Sequence, residues 1–188
     1  MGRSDDLRRA RIGGVVLGVG MGGFVDGILL HQILRWHNML STVLPPATLE
    51  AMHTNMLWDG VFHAVVWMAT LVGISMIWTG AHRATVLPSV VWLIGLMLIG
   101  WGIFNFTEGL IDHHILRIHH VREWGPNPVW DYGFLLSGPI LIGLGWFLTR
   151  SGEGRRAPTA DTFAGLESSG QHRRRARSPL DTETVSYG

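Results

Sequence analysis

The chain has no cysteine and no lysine. Without thiols, disulfide scaffolds, zinc–thiolate fingers, iron–sulfur clusters and thiol catalysis are excluded. Without lysine, all 15 basic side chains are arginine; they face 14 carboxylates, for a formal net charge of +1. That balance excludes a nucleic-acid binder held by a broad basic face. A phosphate-cradling glycine loop is also missing. Gly18, Gly20, Gly22 and Gly23 lie in apolar sequence, where small residues let helices approach closely. Ser41 and Ser137 have no adjacent base, so a serine nucleophile finds no support.

What the chain does have is long apolar runs. Ile12–Leu34 is interrupted only by Asp26, His31 and Gln32; Gly60–Ala81 holds His63 as its one ionisable group; Ala84–Thr107 and Tyr132–Thr149 carry no charge. Their lengths of 23, 22, 24 and 18 residues compare with the roughly 20 that cross about 30 Å of hydrocarbon as helix. A soluble core helix would show a polar stripe every three to four residues, and these do not. The sequence predicts an all-α integral membrane protein, a four-transmembrane-helix bundle over 12–149. Residues 1–11 form an N-terminal segment before it, and 150–188 a disordered tail too poor in apolar residues to pack. The mean hydropathy of only +0.23 averages these spans with that tail. Arg8, Arg9 and Arg11 could open a signal peptide, but the first run continues through Asp26 to Leu34 without a small-residue cleavage pattern. A retained helix is expected.

Arginine placement gives the expected orientation. Twelve arginines lie before the first run, in the Gly80–Leu87 turn, or from Arg150 onward; only Arg35, Arg117 and Arg122 lie in the two longer connections. Both termini are therefore expected in the cytoplasm and both longer loops outside. The Arg173–Arg177 cluster fits a solvated, topology-fixing tail. Trp36, Trp58, Trp124 and Trp130 suit an outer interfacial belt. No internal repeat is assigned, since the two polar outer ends agree in composition but not in order.

Eight of ten histidines fall at that outer end, together with every carboxylate near the bilayer. A carboxylate in hydrocarbon costs on the order of 3 kcal/mol unless paired or hydrated, so Asp26, about 12 Å inside the boundary by helical rise, needs a partner in His31 or His63. Helical spacing puts Asp59 and His63 on one face, and Asn105, Glu108 and Asp112 in one stripe. No Pro or Gly interrupts Leu110–Trp124. On a straight helix His119 would stand about 16 Å above Glu108. Two layers are therefore expected: His31, His63, Asp59, Glu108 and Asp112 below, and His37, His113 or His114, His119 and His120 above.

Imidazole and carboxylate without thiolate suit a transition metal such as zinc, copper or iron. A metal-free hydrogen-bond network relaying protons, and a purely structural network, remain open beside it. An enzyme would need an open coordination position and a base, with Glu108 the best candidate. The HH-x4-HH run (His113-His114, His119-His120) matches no ligand signature. That run also lacks the E-x-x-H of carboxylate-bridged di-iron bundles. Heme is disfavoured because the histidines lie at the membrane edge. Met39, Met52 and Met56 read as apolar filler rather than copper ligands. His53, His82 and His172 lie outside the site.

Three segments, GGFVDGILLHQILRWHNMLS (Gly22–Ser41), NMLWDGVFHAVVW (Asn55–Trp67) and GWGIFNFTEGLIDHHILRIHHVRE (Gly100–Glu123), together with WDYGFLLSG (Trp130–Gly138), resemble a bacterial group of small predicted membrane proteins, domain of unknown function 2243. The resemblance implies a shared site of Asp26, His31, His37, Asn55, Asp59, His63, Asn105, Glu108, Asp112, His113, His114, His119, His120 and Asp131. The expected ligands are its histidines with Asp59, Glu108 and Asp112; Asp26, Asn55, Asn105 and Asp131 stand behind them. It also implies membership in the bacterial cytoplasmic membrane and an association with the assembly or copper supply of terminal respiratory oxidases. The two readings that follow are a metal-handling membrane protein and a membrane metalloenzyme, hydrolase or oxidoreductase, acting on a lipid-like substrate.

Overall fold

Apolar runs with polar ends fold here as helices longer than the runs themselves. In this computed structural model, residues 3–83, 89–125 and 127–153 are described. α1 (Arg3–Val25) continues without a break into a π-helical segment, Asp26–Ile33. α2 spans Leu49–Arg83, α3 (Val90–Glu108) passes into a second π-helical segment, Gly109–Ile115, and α4 spans Pro128–Glu153. No strand occurs among the described residues, and all four helices are long and apolar enough to cross a membrane. Side-chain caps set two starts. Thr48 Oγ1 accepts from Ala51 N at 3.2 Å ahead of α2, and Ser89 Oγ accepts from Trp92 N at 3.2 Å ahead of α3. Residues 84–88 of the expected inner turn lie outside the described residues. So does the tail from 154 onward, with His172 and the Arg173–Arg177 cluster.

The helices pack in the order α2, α1, α3, α4, with no direct packing of α2 on α4 among the described residues. α1 and α3 are thus the centre: 44% and 33% of their most apolar windows are buried, against 11% for α2 and 17% for α4. Glycine makes the central contact possible. A Cβ on Gly18 would overlap the main chain of Met97, and one on Gly100 the carbonyl of Val15. With no hydrophobic force between helices in lipid, such backbone approach is where dispersion packing is gained.

These contacts overturn the expectation that the chain lacks an internal repeat. Gly18 and Gly100 are 82 residues apart, and so are Val15 and Met97. The same offset maps Gly13, which faces Gly73, onto Gly95, which faces Gly145. Gly80 against Ala10 matches Gly152 against Trp92. In sequence, Asp26-Gly-Ile-Leu-Leu-His-Gln-Ile-Leu-Arg-Trp-His37 aligns with Glu108-Gly-Leu-Ile-Asp-His-His-Ile-Leu-Arg-Ile-His119. In the outer helices, Asn55-x-x-Trp58-Asp59-x-x-Phe62 aligns with Asn127-x-x-Trp130-Asp131-x-x-Phe134. The chain is two copies of one hairpin, α1–α2 and α3–α4, joined by a pseudo-twofold relation. The order was obscured because the offset shrinks from 82 to 72 residues between the inner and outer helices.

Candidate metal centre

Each copy ends its inner helix in the same way. The π-helical turns close with Leu34 N donating to Leu29 O (2.8 Å) and Leu116 N to Ile111 O (2.7 Å). One step further, Trp36 N reaches Leu30 O and Ile118 N reaches Asp112 O, at 2.9 and 3.0 Å. Arg35 and Arg117 both take a φ of 52°. A left-handed residue carrying a Cβ costs roughly 1–2 kcal/mol, and it turns the chain back over the helix end. This corrects the two-layer expectation. Helix α3 does not run straight to His119, because a widened turn and a left-handed arginine end it without Gly or Pro. His119 Nε2 comes to 3.5 Å from Glu108 Oε1, so the two layers are one.

The result is a pair of matched groups. The ligand-type atoms of Asp26, His31 and His37 lie within 4.8 Å of one another, as do those of Glu108, His113 and His119. All six residues are between 0 and 7% exposed. Within each copy the rings meet edge to face, His31–His37 at 4.3 Å and His113–His119 at 4.8 Å. Across the copies His37 and His119 stack at 4.6 Å with only 6° between planes. His31 Nε2 lies 3.2 Å from Asp26 Oδ2, and the two groups adjoin, with 6.0 Å between the His31 and His119 ring centres. Phe62 beneath His31 (5.7 Å) and Phe134 beside His113 (5.2 Å) close the apolar side.

The Nδ1 atom of each ring faces a carboxylate or a main-chain carbonyl. His31 Nδ1 is 3.0 Å from Asp59 Oδ1, and His113 Nδ1 is 3.7 Å from the equivalent Asp131 Oδ1. His37 Nδ1 donates to the Val121 carbonyl (2.8 Å), and His119 Nδ1 to the Met39 carbonyl (3.0 Å). Because a carbonyl only accepts, the proton of those two rings sits on Nδ1 and Nε2 presents a lone pair. The Nε2 atoms of His31, His37 and His119 are buried without a hydrogen bond, as are both nitrogens of His113, both oxygens of Asp26 and Oε2 of Glu108. Orphaned buried polar atoms are uncommon and call for a partner, and here they converge on one place. Burial above all, followed by the neighbouring His119 and His31 rings, holds His37 down to about 3; burial, then His31, holds His119 down to about 4. Both rings are therefore neutral, the form that binds metal.

Other residues of the expected site take supporting places. Asp59 accepts from His31, Asn38 Nδ2 (2.7 Å) and Met39 N (2.8 Å). Asp131 accepts from His120 Nδ1 (2.9 Å) and Val121 N (2.8 Å). Asn55 holds the first loop through Leu40 N and the Leu44 carbonyl. Asn105 Nδ2 donates to Ser137 Oγ at 2.8 Å. His63 bonds the Asp59 carbonyl of its own helix (2.6 Å), and His114 bonds the Gly109 carbonyl (2.7 Å) beside Tyr132. Neither they nor His120, Asp59 and Asp112 fall in the two three-residue groups. Sequence reasoning overlooked the carbonyls of Met39 and Val121. It also overlooked Glu123, whose Oε1 accepts from Ser41 Oγ (3.0 Å), Thr42 Oγ1 (2.6 Å) and His120 N (3.2 Å). The repeat was the signal for the two carbonyls, since each lies two residues beyond a repeated histidine.

A family model described as a predicted membrane protein (DUF2243) matches residues 13–152, and the chain belongs to that family. No curated protein and no solved structure matches it.

Proposed function

We propose that this member of the DUF2243 family is a metalloprotein holding a transition metal, zinc, copper or iron, among His31, His37, His113, His119, Asp26 and Glu108. The carrying observation is the set of buried Nε2 atoms and carboxylate oxygens that meet one another without a hydrogen bond, with the Nδ1 side of each ring facing a carboxylate or a carbonyl. Such outer partners fix tautomer and orientation in metal-ligating histidines. In this reading Glu108 is a ligand rather than a general base. Copper or zinc handling for an oxidase requires an ion that enters and leaves. Exposures of 0 to 7% support a resident ion instead.

The test is metal analysis by mass spectrometry of the full chain purified in detergent from its source. About one equivalent or more of one metal is expected, given the tight affinities of preorganised nitrogen and oxygen sites; a metal-free protein would sink the proposal. Glu108→Ala should lower the metal content, and His63→Ala should leave it unchanged.

The reading places the centre at the extracytoplasmic end, on the arginine asymmetry. The exposed Ala47, in the loop before α2, provides a clean reporter because the chain has no cysteine. Ala47→Cys should react with a membrane-impermeant maleimide added outside intact cells. Labelling only after lysis would reverse the orientation.

A further inference from the structure

The metal-centre reading leaves open how many ions the site takes, and the duplication bears on that number. Each hairpin contributes a full group of its own: a carboxylate, a histidine five residues on, and a second histidine six residues after that. Neither group borrows a ligand from the other half, since Asp26, His31 and His37 come from the first copy and Glu108, His113 and His119 from the second. What the halves exchange is the supporting main chain: His37 is held by Val121 and His119 by Met39. A single ion bound by one group would leave the other, equally buried group with its orphaned nitrogen and oxygen atoms.

Charge points the same way. Four carboxylates are built into the arrangement, Asp26 and Glu108 among the ligands and Asp59 and Asp131 facing the outer nitrogens of His31 and His113. Two divalent cations offset the charges of these four, with Asp112 a fifth carboxylate within electrostatic reach of Asp26 and Glu108. One would leave two of the four uncompensated in a poorly hydrated place, where an unpaired charge is costly. Asp26 pairs with His31 and Glu108 with His119, and those two rings lie 6.0 Å apart across the halves, which brings both carboxylates to the boundary where a bridge would be made. Two-metal sites with such bridges hold their ions about 3.5–4 Å apart.

We propose that the centre is dinuclear, taking two divalent transition-metal ions, one per repeat, with Asp26 and Glu108 between them. This rests on the metal-centre reading, and the experiment separates the two. The full chain in detergent is stripped with chelator and titrated anaerobically with Mn(II) and, separately, Fe(II). Bound metal is counted after gel filtration, and the Mn(II) sample is examined by electron paramagnetic resonance. The expected result is two ions per chain, with the six-line signal of isolated Mn(II) replaced by the broad spectrum of a coupled pair. His31→Ala and His113→Ala should each drop the count to one and restore the six-line signal. One ion per chain in the unmodified protein, or two ions without coupling, overturns the dinuclear centre and leaves the metal site standing. No bound ion overturns both. The spectrum of the unmodified protein decides the matter even where a variant fails to fold.

Discussion

Gly100→Val is expected to abolish the monodisperse folded protein in detergent, and Gly18→Val to do nearly the same. A Cβ at Gly100 meets the Val15 carbonyl and lies 2.8 Å from Val19 N. Those are main-chain atoms of the neighbouring helix, which cannot rotate away as a side chain can. Overpacking in a well-fitted core costs about 1–3 kcal/mol and occasionally more; here the β-branched side chain must part α1 from α3 along the line that joins the halves. Against a total stability of roughly 5–15 kcal/mol, that is a large fraction. Gly143→Val is the control, because a Cβ there meets nothing within 4 Å. Thermal unfolding followed by circular dichroism and gel filtration gives the comparison. An unfolding midpoint for Gly100→Val equal to that of Gly143→Val would refute the close approach.

The second large effect is on metal affinity. His37→Ala and His119→Ala should each weaken it by more than about 100-fold, beyond the 10–100-fold typical for loss of a supporting partner. Each substitution removes an Nε2 donor and, at once, the hydrogen bond that ties one repeat to the other's main chain at 2.8 or 3.0 Å. The two losses should match within a few-fold, since the residues occupy equivalent places. Calorimetric titration with Zn(II) provides the measurement. A large effect from one and none from the other would show that the second ring is only a packing element.

Much of the fold was legible in the sequence because hydropathy is a sum over neighbours: four long apolar stretches need no tertiary information to be seen as spans. The gathering of histidines at one end followed from the same count. The joining of the expected layers did not, because it depends on Arg35 and Arg117 adopting a conformation that their side chains disfavour. A left-handed arginine is held by its surroundings, here the paired turns to Leu29, Leu30, Ile111 and Asp112, and propensity gives no hint of it. His63 was placed from spacing alone. Its spacing from Asp59 puts it on the shared face, with Nδ1 on the Asp59 carbonyl and its ring against Gly27, outside the two three-residue groups.

The pseudo-twofold relation also separates what is common to the two hairpins from what is not. A hairpin of this pattern, unlinked, would form a symmetric dimer with its ligands at the subunit boundary, each copy completed by the other's backbone. Fusion into one polypeptide frees the copies to diverge, and they have done so at specific places. Gln32 in one corresponds to His114 in the other, Asn38 to His120, Leu30 to Asp112 and Asp26 to Glu108. The pair of ligand histidines six residues apart is the same in both, while the positions beside them differ in both directions: the second hairpin has Asp112, His114 and His120, and the first has His63 where the second has Leu135. The centre therefore has two chemically different sides, with amide and aliphatic groups at 32, 38 and 30 on one and imidazole and carboxylate at 114, 120 and 112 on the other.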